Sequence, residues 1–331
     1  IHDILAIYKV YDGSSTGTEN TTYLKIRSGD WFLSDNDVFD EASRIINVDI
    51  PVFRVYNVDS QVGYNYIQRA IDNASAGEEI ILSAGTFNEN IIIDTNNDGD
   101  SLTGLTLSGS GFNTIITVQP PFGMGSPPLS DWTVPGINVT ANDVTISALK
   151  INNFTTGINA FQANYLLLSN IHVQNIQGIG IHIDSSANVE ITESIVEDSE
   201  LSNIVVEDNS TDMTLSHSHV EGSESSGVIV RSGSLNFNML HVVVDFNDDY
   251  GCLIASPNAN IAQSYIKQNG LNGIYFQSIN DADLSHNKFE GNGLSELKII
   301  SSYDIIIEDN FFNASEFEGG GWGIDTSGSS R

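Results

Sequence analysis

A hydrophobic pattern that recurs every 22 to 24 residues, from about residue 142 onwards, is the strongest constraint on the fold of this chain. Self-similarity at this period predicts stacked supersecondary units. The pattern assigns one interior anchor position per unit to Ile146, Leu168, Ile191, Leu215, Phe237, Ile261, Leu284 and Ile307. A second apolar series follows the anchors by 12 to 17 residues and consists of Ile158, Ile181, Ile204, Val228, Cys252, Ile274, Leu297 and Ile324.

Apolar and polar residues alternate with a period of two inside each unit, which is typical of β-strands. The segments are too short, and too rich in Val, Ile, Asn and Gly, to form pairs of helices. One turn of strands per unit, repeated in register, predicts an all-β fold in which each coil pairs with the next at about 4.8 Å. The predicted fold is therefore a parallel β-helix.

The charge balance of 43 acidic and 12 basic residues, a net charge of −31, argues against nucleic acid and anionic membrane surfaces as partners. It suits either solubility in a salty medium or divalent cations on the exterior. The sequence contains no run of 18 apolar residues, so no membrane-spanning helix is predicted. The single cysteine, Cys252, is predicted to be a buried apolar residue without a disulfide partner. We expect an extracellular location or the surface of a cell or virion.

Residues 1–55 do not share the repeat and are predicted to form a small β-rich module or arm, while residues 56–331 form the β-helix. Strands are predicted at Ile4–Tyr11 and over residues 23–27. Residues 64–74 place apolar side chains on one face and predict an amphipathic helix. Residues 119–136 hold five of the seven prolines, so they are predicted to leave the coil as an exposed loop, either a binding lip or an inert insertion.

The helix at 64–74, the segment at 80–87 and the Gly-rich coil at 105–116 together resemble the start of the pectin-lyase-like family. The resemblance covers about residues 60–326. It implies a right-handed parallel β-helix whose first coil is capped by the short helix. It implies no particular activity, because this scaffold carries lyases, hydrolases, epimerases, phage tailspikes and surface proteins alike.

A candidate calcium loop lies in the segment DTNNDGD, where Asp94, Asn96, Asp98 and Asp100 alternate and Gly99 permits a tight turn. Oxygen ligands at positions 1, 3 and 5 with glycine at position 6 are typical of a calcium loop. Leu105 stands at the twelfth position, where such loops carry glutamate. A plain polar turn is the alternative, and calcium is the one cofactor that the sequence suggests.

Stacking of the coils predicts that outward residues two, four and six positions after each anchor gather on one face. The candidates for acid–base chemistry on that face are His217, His219, His241, Glu221, Tyr265 and Lys267. Sugar-processing sites need general acids or bases that project together from adjacent coils. The alternative is an ordinary solvated sheet face, where polar residues are expected in any case.

The known classes of polysaccharide-active enzyme each meet an obstacle in this sequence. A lyase needs cations beside a base, and the repeat region holds only Arg231, Lys150, Lys267, Lys288 and Lys298. An inverting glycosidase needs two carboxyl groups, which Asp245, Asp248 and Asp249 could supply. The further motifs of polygalacturonases and epimerases are absent, so the sequence leaves the enzyme status open.

The C-terminal end of the repeat is followed by no polar capping unit of the kind that solenoids normally carry. One interpretation is a head-to-tail homo-oligomer, in which residues 1–55 cover the C-terminal end of the next subunit and build a filament. The rival is that the chain continues beyond Arg331.

Three functions follow from these patterns. The first is a self-assembling extracellular structural rod that binds glycans or calcium. The second is a polysaccharide lyase, hydrolase or epimerase that acts along the face of the β-helix. The third is a surface adhesin or a protein like a virus tailspike.

Overall fold

The structure, a computed structural model, describes residues 4–11, 19–26, 53–96, 98–118, 135–314 and 322–326. The chain divides into two compact units, Ile1–Pro51 and Val52–Arg331. In the first unit, β1 (Ile4–Tyr11) and β2 (Glu19–Ile26) pair as an antiparallel hairpin. The assignment of residues 1–55 to a separate module or arm stays a prediction.

Short strands make up most of the second unit. It opens with β3 (Val55–Asn57), β4 (Val62–Tyr64), α1 (Ile67–Asp72), β5 (Glu79–Leu82), β6 (Gly85–Asn88), β7 (Ile91–Ile93), β8 (Thr106–Ser108) and β9 (Thr114–Thr117). It continues with β10 (Ile137–Val139), β11 (Thr145–Asn152), β12 (Thr156–Phe161), β13 (Leu167–Gln174), β14 (Ile179–Asp184), β15 (Glu190–Thr192), β16 (Ile195–Glu197), β17 (Ile204–Glu207), β18 (Thr211–Ser216), β19 (His219–Glu221), β20 (Val228–Val230), β21 (Leu235–Leu240), β22 (Val243–Asp245), β23 (Cys252–Ile254), β24 (Asn260–Ala262), β25 (Tyr265–Lys267), β26 (Ile274–Gln277), β27 (Asn280–Ser285), β28 (Lys288–Glu290), β29 (Ser295–Ile300), β30 (Tyr303–Glu308), β31 (Phe311–Asn313) and β32 (Trp322–Asp325).

Like segments of successive coils pair in parallel, which gives three stacks. The first stack runs from β5 and β8 through the first halves of β11 and β13 to β15, β18, β21, β24, β27 and β30. The second stack runs from β6 and β9 through the second halves of β11 and β13 to β16, β19, β22, β25, β28 and β31. The third stack is a ten-stranded sheet from β7 to β32. The predicted all-β solenoid is therefore confirmed.

The register of the third stack matches the predicted second apolar series at every coil. Each member from Ile158 to Ile324 pairs with its successor in that series. The members from Ile158 to Leu297 are fully buried, Cys252 among them, whereas Ile324 on the last described strand is 41% exposed. Burial raises the pKa of the Cys252 thiol to about 12, so it stays protonated and apolar in character.

The register of the first stack corrects one predicted anchor. Leu215 pairs with Met239 and not with Phe237, and Met239 in turn pairs with Ile261. Phe237 instead pairs with Met213, one alternation earlier. Both Phe237 and Met239 are buried. A pattern with a period of two fits either residue, which is why the assignment of Phe237 slipped by two positions.

A chain of buried amide side chains runs along the inside of the coils. The Nδ2 of Asn203 donates to Oδ1 of Asn247 at 3.3 Å, Asn247 donates to Asn269 at 2.9 Å, and Asn269 donates to Asn292 at 2.8 Å. Asn292 donates to the carboxylate of Glu296, which is fully buried. These bonds satisfy interior polar groups that would otherwise destabilise the fold.

Each corner described below uses one residue with left-handed backbone in each coil. The corner row that precedes the first stack contains Asp143, Tyr165, Asn188, Asp212, Asn236, Asn258, Asp281 and Asp304. Another row separates the first and second stacks and contains Ala148, Asn170, Glu193, His217, His241, Gln263, His286 and Asp309. The row after the second stack contains Asn153, Asn175, Asp198, Gly222, Phe246, Gln268 and Gly291. Asn, Asp and Gly tolerate this conformation best.

Helix α1 is shorter than the predicted 64–74, because Tyr64 ends β4 and Tyr66 is the residue before the first helical turn. The Glu89 carboxylate accepts the backbone N–H groups of Ile67 and Gln68, at 3.0 and 3.1 Å. It thus supplies acceptors for the free N–H groups of the first turn. Of the predicted loop at 119–136, residues 119–134 lie outside the described residues.

Candidate functional site

Charged side chains form one continuous row on the outward face of the second stack. We call it the charged row and define it by Glu197, Glu221, Asp245, Lys267 and Glu290, each of which pairs in register with the next. Neighbouring parallel strands lie about 4.8 Å apart, so the row extends over about 19 Å. In each of these strands the residue before the row member is buried in the core. The alternation along the strand therefore directs the row member to the outer face.

Asp245 lies at the centre of the charged row, with a side chain that is only 3% exposed. Its Oδ1 accepts a hydrogen bond of 2.7 Å from Nε2 of His219 on the preceding coil. Its Oδ2 lies 3.1 Å from Nζ of Lys267 on the following coil. The hydrogen bond from His219 and the Lys267 ammonium compensate the cost of burying this carboxylate, which would be large for an unpaired charge.

The protonation of Asp245 and His219 follows from this contact. Burial raises the pKa of Asp245, but the hydrogen bonds from His219 and Lys267 more than offset it, and the net pKa is lowered. The hydrogen bond to Asp245 raises the pKa of His219 above 6.5, against a smaller opposing effect of burial. Asp245 therefore stays ionised and holds the proton on Nε2 of His219.

The second ring nitrogen of His219, Nδ1, has no hydrogen bond to any described residue, and the side chain is 36% exposed. Because Asp245 fixes Nε2 as the donor, neutral His219 presents a free lone pair at Nδ1. Such a nitrogen is the usual form of a histidine general base, and its protonated form is a general acid.

Glu221 stands beside His219 on the same strand, with its Oε2 at 3.6 Å from Nε2 of His219. Burial raises the pKa of Glu221; His219 opposes this, and the carboxyl group of Glu197 adds to it. Ligand atoms of His219, Glu221 and Asp245 lie within 4.8 Å of one another, so these three residues could hold a divalent metal ion. The hydrogen bond from His219 and the Lys267 ammonium already occupy both oxygens of Asp245, which favours proton transfer over metal binding.

Two aromatic residues flank Lys267. The Tyr265 ring lies 5.3 Å and the exposed Phe246 ring 5.5 Å from its Nζ. The hydroxyl group of Tyr265 donates to Glu290, and Nζ of Lys288 contacts both groups, at 3.0 Å from the hydroxyl and 2.6 Å from the carboxylate. Lys267, Lys288 and the two aromatic rings thus lie in and beside the charged row, next to the His219–Asp245 pair.

The structure gathers some of the predicted candidates and separates others. His219, Glu221, Tyr265 and Lys267 lie together on the second stack. His217 and His241 instead occupy the corner row between the first and second stacks, with ring centroids 4.9 Å apart.

The displacement of His241 follows from the anchor error at Phe237. With Met239 as the anchor, Val243 falls beside His219, and Asp245 falls beside Glu221. The sequence pattern suggested Asp245 only as one of three acidic residues that could serve a glycosidase. It did not predict that Asp245 belongs to this row. The correct register of one coil would have found it.

The predicted calcium loop forms a compact turn. Oδ1 of Asn96 accepts the backbone N–H groups of Asp98 and Asp100, at 3.0 and 2.9 Å. The carboxylates of Asp94, Asp98 and Asp100 do not form a cluster of ligand atoms, since among the described residues the one such group is His219, Glu221 and Asp245. Calcium binding by Asp94, Asn96, Asp98 and Asp100 stays a prediction.

The profile of a family described as "right handed beta helix region" matches residues 129–248. The A-module of a mannuronan C-5 epimerase from Azotobacter vinelandii is similar in structure, with a TM-score of 0.62, 18% identity, and coverage of 74% of this chain and 71% of that one. This chain has a right-handed parallel β-helix fold. The predicted resemblance to the pectin-lyase-like scaffold is confirmed at the level of the fold.

Two other structures extend this likeness. An alginate lyase from Paenibacillus sp. has a TM-score of 0.59 and 15% identity, with coverage of 78% of this chain and 96% of the lyase. The enzymatically active domain of tailspike protein 2 from bacteriophage CBA120 has a TM-score of 0.57 and 14% identity. That match covers 76% of this chain and 42% of the tailspike chain. A comparison with curated proteins found no match. In the described parts of the chain, no helix has the length and apolarity for a membrane crossing.

Proposed function

We propose that this chain is a polysaccharide lyase that cleaves a uronate polymer by β-elimination, with His219 as the acid–base group. The proposal rests on the ring of His219: Asp245 binds one nitrogen, the other has no partner among the described residues, and the side chain is 36% exposed. A histidine that a buried carboxylate orients in this way is preorganised to accept a proton from a substrate bound along the charged row.

Elimination needs positive charge near the substrate as well as a base. The proton to be removed lies on the carbon next to the uronate carboxyl group, and nearby cations stabilise the negative charge that develops there. Lys267 of the charged row and Lys288, which lies next to the row on the following strand, are two of the six lysines in the chain. The sequence alone seemed too poor in basic residues for a polyanionic substrate, but the fold places these two lysines on adjacent strands, each beside a carboxylate.

The reaction can be written with His219 as its one proton carrier. Nδ1 of His219 takes the proton from the carbon, the electron pair of that C–H bond becomes a C=C double bond, and the bond to the glycosidic oxygen breaks. The imidazolium ion then returns the proton to the departing oxygen. A paired-carboxylate hydrolysis fits less well, because Asp245 is buried with both oxygens engaged, which leaves Glu221 as the accessible carboxyl group beside His219.

The comparisons support this proposal at a coarse level. The epimerase and the lyase named above act, by their names, on mannuronan and on alginate. Epimerisation would begin with the same proton removal, so the assay must distinguish the two outcomes. An extracellular or surface location, as predicted, would suit an enzyme with a polymeric substrate.

The test is an assay of the full chain on polymannuronate, polyguluronate, polygalacturonate and a neutral mannan. We expect ultraviolet absorbance from an unsaturated product with at least one uronate polymer and none with the mannan. Proton NMR of the same reactions would reveal epimerisation in place of cleavage. The proposal fails if no uronate polymer yields an unsaturated product.

A second candidate, the self-assembling rod, rests on the last coil that the structure describes. This coil exposes large apolar side chains, with exposed fractions of 58% for Ile306, 58% for Phe311 and 68% for Trp322. Exposed apolar clusters often mark contacts between chains. Electron microscopy of the chain with and without residues 1–55 tests it: filaments that vanish on truncation support assembly, and single rods in both samples contradict it.

A further inference from the structure

A cavity of about 300 Å³ opens on the surface at the corner row that precedes the first stack. Its walls include Asn142, Asp143, Asn164, Tyr165 and Asn188. The cavity is at the lower end of the range of about 300–1,000 Å³ that is usual for small-molecule sites. None of these residues belongs to the charged row, so the cavity is distinct from the proposed reaction centre.

Tyr165 is the exception in its corner row. The other seven positions hold Asp or Asn, which are the types that adopt left-handed backbone most readily. Tyr165 has a φ of 58° and a side chain that is 60% exposed. A bulky residue in this conformation is unfavourable, and its ring is not covered by the core. Neither local conformation nor packing accounts for a tyrosine at this position.

Stacking places polar groups on both sides of the Tyr165 ring. The backbone N–H of Asp143 donates to the carbonyl of Asn164 at 2.8 Å, and that of Tyr165 donates to Ala187 at 2.8 Å. Asp143, Tyr165 and Asn188 are therefore corner residues of three successive coils. Their side chains have no hydrogen bond to any described residue, so their polar atoms remain available to a ligand.

The amides behind the ring are fixed in orientation. Oδ1 of Asn142 accepts from the backbone N–H and from Nδ2 of Asn164, at 2.9 and 3.0 Å, and Oδ1 of Asn164 accepts the backbone N–H of Ala187 at 3.0 Å. A flat exposed ring beside oriented amides and a carboxylate matches a ligand with an apolar face and a rim of hydroxyl groups. A sugar ring has this chemistry.

We propose that this cavity is a saccharide-binding site in which Tyr165 stacks on a neutral sugar ring and Asp143 and Asn188 bind its hydroxyl groups. Lysine and arginine are absent from the cavity walls, and Asp143 contributes negative charge. The site therefore selects neutral sugars over uronates, in contrast to the charged row, where Lys267 and the neighbouring Lys288 lie.

The experiment measures binding of neutral gluco-, manno-, galacto- and xylo-hexasaccharides and of a uronate hexasaccharide to the full chain by calorimetry. We expect at least one neutral hexasaccharide to bind, with affinity about tenfold weaker in both Tyr165→Asn and Tyr165→Ala. Tyr165→Asn should raise the melting temperature, because asparagine tolerates the left-handed corner. Tyr303→Asn, at another exposed tyrosine of the first stack, serves as the matched control and should bind as the wild type does.

His219→Gln separates this site from the proposed reaction, since it should lose cleavage and keep the binding of the neutral hexasaccharide. The inference is overturned if no neutral hexasaccharide binds at millimolar concentration. It is also overturned if Tyr165→Asn binds as tightly as the wild type, or if the uronate hexasaccharide competes for the same site with equal affinity.

Discussion

Two triads of histidine, carboxylate and cation lie on different stacks of the solenoid, and only one of them leaves a histidine nitrogen open. On the third stack, Glu207 binds Nε2 of His182 at 2.8 Å and Nε of Arg231 at 2.7 Å. Nδ1 of His182 lies 2.9 Å from Oδ1 of Asn159, so both ring nitrogens have partners. On the second stack, Asp245 binds His219 and Lys267, but Nδ1 of His219 has no described partner.

The carboxylates of the two triads also differ in burial. The Glu207 side chain is 23% exposed, whereas that of Asp245 is 3% exposed. The same residue types on the same scaffold thus form a saturated surface network in one place and an oriented, open imidazole in the other. The residue types alone therefore do not distinguish the two triads. The hydrogen-bond partners of the histidine ring nitrogens do. The His182 triad is therefore a built-in control for the His219 triad.

The largest expected effect is on catalysis. We predict that His219→Gln lowers kcat/KM for the uronate substrate by about 10²–10⁴-fold, because glutamine can neither accept nor return a proton. The matched variant His182→Gln should keep the activity within about twofold of the wild type, since the removed ring is engaged on both sides. Equal losses in the two variants would remove the distinction between the triads.

The next effect concerns stability. Asp245→Asn should lower the free energy of unfolding by about 2–3 kcal/mol, because it removes the acceptor of two charge-assisted hydrogen bonds at a buried position. Glu207→Gln should cost about 1 kcal/mol or less, since its arginine partner is 60% exposed. Urea unfolding at neutral pH measures both values, and a larger cost for Glu207→Gln would contradict the comparison.

The pH dependence gives a separate test of the same contact. The pKa of His219 is raised in the folded state, so the contribution of its protonated form to stability is complete below pH 6.5 and is lost as the pH rises through the raised pKa. Asp245→Asn should lower the pKa of His219 in an NMR titration and move the acidic limb of the kcat/KM profile to lower pH. An unchanged limb would show that Asp245 does not position the catalytic base.

A smaller effect is expected at Phe246, which is 52% exposed and has a φ of 54° in its corner row. We predict that Phe246→Asn raises KM about two- to tenfold through loss of a ring that stacks on the substrate. The same change should stabilise the fold by about 1 kcal/mol, because it relieves the left-handed strain. Chemical unfolding and initial rates measure the two effects, and a loss of stability would show that the ring is structural.

The smallest effect is expected at Arg231. Arg231→Ala should change the free energy of unfolding by less than about 1 kcal/mol, since the pair with Glu207 is largely exposed. It should leave the kinetics unchanged. A drop in kcat/KM would show that the third stack takes part in catalysis and that the His182 triad is unsuitable as a control.

The fold could be predicted from sequence because the inward positions are constrained by packing. The series from Ile158 to Ile324 is uniformly apolar, so its period fixes the register of the third stack without ambiguity. The helix was also found, with bounds wider than Ile67–Asp72, since the amphipathic pattern continues past the residues that have helical backbone.

The site was predicted only in part, because the outward positions are counted from the inward anchor residues. An error in an anchor therefore shifts every outward residue of that coil. Phe237 and Met239 are both buried, and the two-residue ambiguity moved His241 into the candidate face and Asp245 out of it. The burial of Asp245 also had no signal in the sequence. It arises from the side chains of His219 and Lys267, which cover the carboxylate from the adjacent coils.

The chain of buried amides has a direction, and Glu296 sets it. A carboxylate only accepts hydrogen bonds when it is ionised, so Asn292 must turn its NH₂ group towards Glu296. The same requirement passes to Asn269, Asn247 and Asn203 in turn, since a reversed amide would bring two NH₂ groups or two oxygens face to face. The single carboxylate of Glu296 thus determines the orientation of amide side chains several coils away, because each amide in the chain constrains the next.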